Sequence, residues 1–71
     1  LSVPKTYGSL TDKETEVLSM MEDGLNNTEI AKTMCVNLGT VKFHVSNILR
    51  KLEAENRTVA VKIAQTEGLL S

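Results

Sequence analysis

Residues 36–52 read V-N-L-G-T-V-K-F-H-V-S-N-I-L-R-K-L, and their spacing predicts a helix with two chemically different faces. Placed at about 100° per residue with Val41 at zero, Val45, Ile48 and Leu52 fall within roughly 40° of it. These four make an apolar stripe of the kind that faces a core. Gly39, Phe43, Ser46 and Arg50 gather on the opposite side, between about 140° and 200°, with Lys42 and Asn47 flanking them. That outer face holds cations, small polar groups and an aromatic ring. It holds no acid, because no Asp or Glu occurs between Val36 and Leu52. A merely solvated helix face ordinarily mixes both signs, whereas an acid-free one suits a surface that meets phosphates.

The residues before this helix give it a context. Asn26, Asn27 and Thr28 are three candidate N-caps ahead of E-I-A-K-T-M, in which Ile30, Ala31 and Met34 are spaced for one face. Cys35-Val36-Asn37 then makes a tight connection, with Asn37 as the next cap. A short helix, a turn of about three residues and a longer helix form a helix-turn-helix, whose second helix enters the major groove N-terminus first. At that end the backbone amides of Gly39 and Thr40 are unpaired and the helix dipole is positive. Gly39, without a side chain, lets the helix end approach a duplex closely.

Farther out, Thr11 and Glu14 form a capping box before an apolar set of Val17, Leu18 and Met21. That first helix stops at Asp23-Gly24, where glycine can take the left-handed position. Asn56 or Thr58 caps a last helix ending near Gly68, with Leu69 and Leu70 expected to fold back on the core. The Asn-x-Thr triplets at 26–28 and 56–58 read as cap chemistry. Residues 1–9, L-S-V-P-K-T-Y-G-S, lack periodicity and read as a linker or tail. The expected fold is all-α, a four-helix bundle containing a helix-turn-helix. Its helices are placed at about 12–22, 27–34, 38–53 and 57–67, in one domain covering 10–71.

Bulk properties narrow the functional classes. Seventy-one residues bury only about 60% of the unfolded surface, too little for a deep catalytic pocket. No nucleophile–base set or phosphate-binding loop appears, so the chain reads as no enzyme and needs no cofactor. The single Cys and single His exclude an internal disulfide and make metal ligation improbable. No apolar run approaches the roughly 20 residues that span a bilayer, and no signal peptide opens the chain; the expected location is cytoplasmic. Starting at Leu1, the chain reads as a piece of a longer protein. Its net charge of −1 is unevenly distributed. Residues 1–35 hold three Lys against six acids, and residues 36–71 hold five cations against three. An electrostatic footprint is local, so this asymmetry matters more than the total.

Four segments together, L-T-D-K-E-T-E-V-L at 10–18, G-L-N-N-T-E-I-A at 24–31, the 36–52 stretch and N-R-T-V-A-V at 56–61, resemble the LuxR-type (GerE-type) helix-turn-helix domain. That family includes the effector domains of NarL/FixJ-like response regulators, and the likeness covers residues 10–69. The resemblance implies sequence-specific binding of double-stranded DNA and a homodimer through the fourth helix. It also implies an N-terminal receiver or sensor domain outside this chain and a place in a two-component system; RNA polymerase is a further candidate partner. Carried to matching positions, it puts Lys42, Phe43 and Ser46 at bases and Thr40, His44 and Asn47 near the backbone. Ser46 and Phe43 depart from common occupants of their positions, which leaves the target sequence open.

Beside these, Gly39, Arg50 and Lys51 are expected at the DNA backbone. With Lys42 and the helix end they suggest roughly three or four phosphate contacts per subunit. Val59, Ile63 and Thr66 are expected to make the dimer surface, with Ala60, Val61 and Ala64 turned to the core. Several positions also have a plainer reading. His44, beside the core stripe, is either bonded to a carbonyl or at a phosphate. Cys35 is a small buried apolar residue or a redox sensor. Met20, Met21 and Met34 fill the core. Glu14 and Glu29 suit structural ion pairs better than DNA contacts, and Arg57 is a charged position of the family pattern. From a different functional class, the scaffold could serve as a protein-interaction module, for which an exposed Phe43 would suit equally.

Overall fold

Four polar side chains start four helices, and each does so by the same local chemistry: an oxygen accepting a backbone N–H that the helix leaves unpaired. The computed structural model describes residues 10–67; the expectations for residues 1–9 and for Leu69 and Leu70 lie outside them. Thr11 opens α1 (Asp12–Glu22) and Asn26 opens α2 (Asn27–Met34). Both are full capping boxes. The Glu14 amide donates to Thr11 Oγ1 at 3.1 Å while Glu14 Oε1 accepts from the Thr11 amide at 3.0 Å. Asn26 and Glu29 exchange the same pair of bonds, each at 2.8 Å. Asn37 opens α3 (Leu38–Leu52), its Oδ1 accepting from the Thr40 amide at 2.8 Å and the Thr40 hydroxyl at 3.0 Å. Asn56 opens α4 (Arg57–Glu67), accepting from the Val59 amide at 3.0 Å.

Three of the helices end alike, in a left-handed residue whose N–H and whose successor's N–H return to the last turn. At α1 the residue is Gly24, φ 89°, with Gly24 N–H to the Met21 carbonyl and Leu25 N–H to that of Met20. At α2 it is Cys35, φ 58°, and at α3 it is Glu53, φ 55°. Neither is a glycine. A side chain in this conformation costs roughly 1–2 kcal/mol, and a glutamate also sits badly at the negative end of a helix dipole. Glu53→Gly is therefore expected to stabilise the fold by about 0.5–1 kcal/mol after glycine's extra unfolded-state entropy is subtracted. A thermal melt checks this, and an unchanged or lower midpoint would count against the strain.

The core is small and wholly aliphatic. Val17, Leu18 and Met21 of α1 meet Ile30 and Ala31 of α2, Val41, Ile48 and Leu52 of α3, and Ala60 and Ala64 of α4. Helix α3 is the hub: it packs on α1, α2 and α4, while α1 and α4 also pack on each other. There are no strands among the described residues.

Several expectations need correction. Val45 lies at the edge of the stripe and is only half-buried. The methionines do fill the core, Met21 buried within it and Met20 and Met34 half-buried but packed against it. Cys35 is exposed, because the left-handed turn that ends α2 swings its side chain outward. Glu29 closes a capping box rather than an ion pair. Helix α3 stops at Leu52, one residue short of 53, where Glu53 turns left-handed.

Candidate nucleic-acid interface

The N-terminus of α3 differs from those of its two predecessors. Helices α1 and α2 carry Glu14 and Glu29 in their first turns; α3 carries no acid there. Its cap is the neutral Asn37 and its third position is Thr40. The positive end of the dipole is thus left uncompensated by carboxylate, which is what an anion-binding helix end requires. Gly39 sits in this turn, exposed. A Cβ built on it would meet only Asn37 Oδ1, at an ordinary 3.4 Å. Nothing among the described residues therefore demands glycine there.

Along the outer face, Lys42, Phe43, Ser46 and Arg50 are all exposed. Phe43 shows 64% of its surface, and Leu38 at the start of the helix shows 39%. An aromatic ring left this open in a chain with one Phe and no Trp forgoes about 1.5–3 kcal/mol of burial. Arg50 is not loose: its Nη2 donates to Asn47 Oδ1 at 2.9 Å, one turn back on the same face. His44 is half-buried beside Phe43, ring centroids 6.0 Å apart. Its Nδ1 is closed off from solvent and has no hydrogen-bond partner, so the carbonyl bond considered for it is absent at that atom.

Lys51 turns the other way. Its Nζ donates to Glu14 Oε1 at 2.7 Å, and the two side chains are 21% and 5% exposed. Lys51, expected at the DNA backbone, is thus engaged inside the domain with Glu14. The wheel held the signal: Lys51 falls at about 280°, next to His44 at about 300° and beside the core stripe. Burial alone would raise the pKa of Glu14. Hydrogen bonds from Lys51 and the Thr11 amide, with the charges of Lys51 and His44, outweigh it and hold the carboxyl below its ordinary value of 4.5.

The α4 positions behave less simply than the pattern suggested. Ala60 and Ala64 are buried, Val59 is half-buried and Thr66 exposed. Ile63, expected without an intramolecular partner, packs partly against the core along with Val61. Arg57, which the sequence singled out only as a charged position, donates from Nη1 to Asn27 Oδ1 at 2.7 Å and from Nη2 to the Leu25 carbonyl at 2.8 Å. Among the described residues no group of three His, Cys, Asp or Glu side chains gathers to hold a metal, and no helix is long and apolar enough to cross a membrane.

With a bare helix end, an acid-free outer face and a helix-turn-helix behind them, the sequence matches the family described as bacterial regulatory proteins, luxR family, over residues 8–64. The chain belongs to the LuxR family. Membership makes it a helix-turn-helix DNA-binding domain of transcription regulation, a family without enzymatic activity. Among its relatives is the response regulator protein VraR of Staphylococcus aureus, 45% identical over 64 residues, which cover 90% of this chain and 31% of that protein. VraR of Staphylococcus epidermidis matches equally. In solved structures the fold recurs in the response regulator ChrA of a heme-sensing two-component system, with a TM-score of 0.82 and 36% identity. That match covers 86% of this chain and 30% of ChrA. This LuxR-family chain thus spans just under a third of the length of these relatives.

Proposed function

We propose that this chain is the sequence-specific output domain of a cytoplasmic bacterial response regulator, placing α3 in the major groove of its operator and binding as a homodimer through α4. One observation carries the reading: the exposed face of α3 combines Lys42, Arg50 and an acid-free N-terminus with an apolar ring, Phe43, that the core does not use. Phosphate contacts fix the register of such a helix and base contacts give it specificity. Gly39, Thr40, His44, Asn47 and Arg50 serve the backbone. Lys42, Phe43 and Ser46 face the base edges, with Phe43 against the C5-methyl of a thymine, a contact that separates thymine from cytosine without a hydrogen bond. A receiver or sensor domain preceding this chain, phosphorylated in a two-component system, would then control access to the operator, and RNA polymerase would read the result.

Phe43→Ala tests the reading directly. Since the ring is exposed, stability should stay within about 0.5 kcal/mol of wild type. Specific binding should fall by roughly tenfold, which is about 1.4 kcal/mol, while binding to random DNA stays close to wild type. Replacing the contacted thymine by uracil should reproduce most of the loss and add little to the mutant. Equal loss on specific and random DNA would remove Phe43 from readout.

The dimer rests on Val59, Ile63 and Thr66. Only part of Ile63 is taken up by the core, and Val59 is half-buried, so an apolar strip remains along α4 for a second copy. Val59→Glu with Ile63→Lys should keep single half-site binding and lower cooperative occupancy of paired half-sites by about fivefold or more. Unchanged cooperativity in the folded double variant would place the dimer contact elsewhere.

A further inference from the structure

Arg57 is the first residue of α4, a place where the helix dipole disfavours a cation. Its guanidinium is nevertheless fixed by two hydrogen bonds, at 2.7 Å to Asn27 Oδ1 and 2.8 Å to the Leu25 carbonyl. Both acceptors lie at the entrance to α2, 30 and 32 residues away in sequence. Leu25 follows the left-handed Gly24, and its own N–H closes the end of α1; Asn27 is the first residue of α2. Helices α2 and α4 otherwise have little direct contact: α2 meets the rest of the fold mainly through α3, and α4 through both α3 and α1. One planar side chain thus joins the start of α4 to the start of the helix-turn-helix.

We infer that Arg57 is a positioning residue that fixes α4 against the helix-turn-helix and so sets the half-site spacing at which two copies bind together. The inference rests on the proposed α4 homodimer. In such a dimer the two α3 helices are held apart by rigid α4-to-α3 geometry, and a base-pair step is only about 3.4 Å along the duplex. A small rotation of α4 therefore carries the partner's α3 off its half-site. Two N–H groups of one planar guanidinium, held by two separate acceptors, resist that rotation, which a lysine ammonium, a point donor on a flexible stem, cannot. The role adds nothing to contact with a single half-site, since both acceptors are within the chain.

The test uses a half-site recovered from a randomised DNA pool by the wild-type chain. Two copies of it are then placed on fragments whose spacing is stepped one base pair at a time. Wild type should gain about 5–150-fold on one preferred spacing. Arg57→Lys, and independently Asn27→Ala, should keep single half-site affinity within about twofold. Their cooperative gain should drop to less than about a third of wild type at the preferred spacing and spread to neighbouring spacings. Asn27→Ala leaves α4 untouched, so it decides the matter even where the Arg57 variant folds poorly. If both variants keep the wild-type spacing profile while Val59→Glu with Ile63→Lys abolishes the gain, the dimer stands and the role of Arg57 is overturned. Equal losses on single and paired sites also overturn it, leaving simple support of the fold. If wild type shows no gain at any spacing, the α4 homodimer itself falls, and the role of Arg57 with it.

Discussion

Glu14→Ala is expected to cost this domain about 2–3 kcal/mol. Removing one member of a buried ion pair ordinarily costs about 3–5 kcal/mol, because the remaining charge loses much of its compensation. The lower figure applies here since Lys51 keeps 21% of its side-chain surface in water. The variant also loses half of the Thr11 capping box. For a chain of this size total stability is only about 5 kcal/mol, so the midpoint of thermal unfolding should drop by about 10–20 °C. Glu14→Gln keeps an acceptor for the Thr11 amide and should lose roughly half as much. Replacing both partners by apolar residues, Glu14→Leu with Lys51→Met, should recover most of the loss, because no charge is then stranded. A midpoint for Glu14→Ala within a few degrees of wild type would show that the pair contributes little.

The same carboxyl makes the fold acid-sensitive. Its folded-state pKa is lowered from 4.5, so its contribution is fully present above that value and is lost as pH falls through the folded pKa. Denaturant midpoints measured from neutral pH downward should fall below about pH 4.5 in wild type and fall less in Glu14→Gln.

Raising salt from about 50 to about 200 mM should weaken operator binding by the dimer on the order of 200-fold, a slope of about −4 in log affinity against log salt. The count behind it is two exposed cations on the reading face of each copy, Lys42 and Arg50. It is smaller than the three or four contacts the sequence suggested, because Lys51 is engaged with Glu14. Arg50→Gln should therefore flatten the slope by about 1 per subunit. Lys51→Gln should leave the slope alone and lower stability instead. A flat salt response in wild type would remove the DNA reading and favour the scaffold as a protein-docking module. A slope change with Lys51→Gln would return that lysine to the interface.

These two lysine and arginine variants also mark where sequence reading succeeds and stops. The starts of the helices were legible because their chemistry is local: Thr11 with Glu14, Asn37 with Thr40 and Asn56 with Val59 are three residues apart. The orientation of α3 was legible because a period near 3.6 separates Val41, Ile48 and Leu52 from Phe43. The end of α3 was harder, since Glu53 adopts a conformation that glycine normally announces. The partners of Lys51 and Arg57 were out of reach for a different reason. Glu14 lies 37 residues from Lys51, and Asn27 lies 30 from Arg57, and only the packed bundle brings them together. Charge was read as a surface property, which held for Lys42 and Arg50 and failed where a cation closes a gap between helices.

The central place of α3 has a consequence for how such a domain can change over generations. One side of the helix is held by every other element, so Val41, Ile48 and Leu52 tolerate little alteration in volume. On the other side Lys42, Phe43 and Ser46 are exposed, and exchanges there should alter stability by no more than about 0.5 kcal/mol. Mutational drift at these exposed positions is therefore not filtered by folding. If they read bases as proposed, a lineage can retarget its operator one exposed residue at a time while the same inner face keeps each intermediate folded.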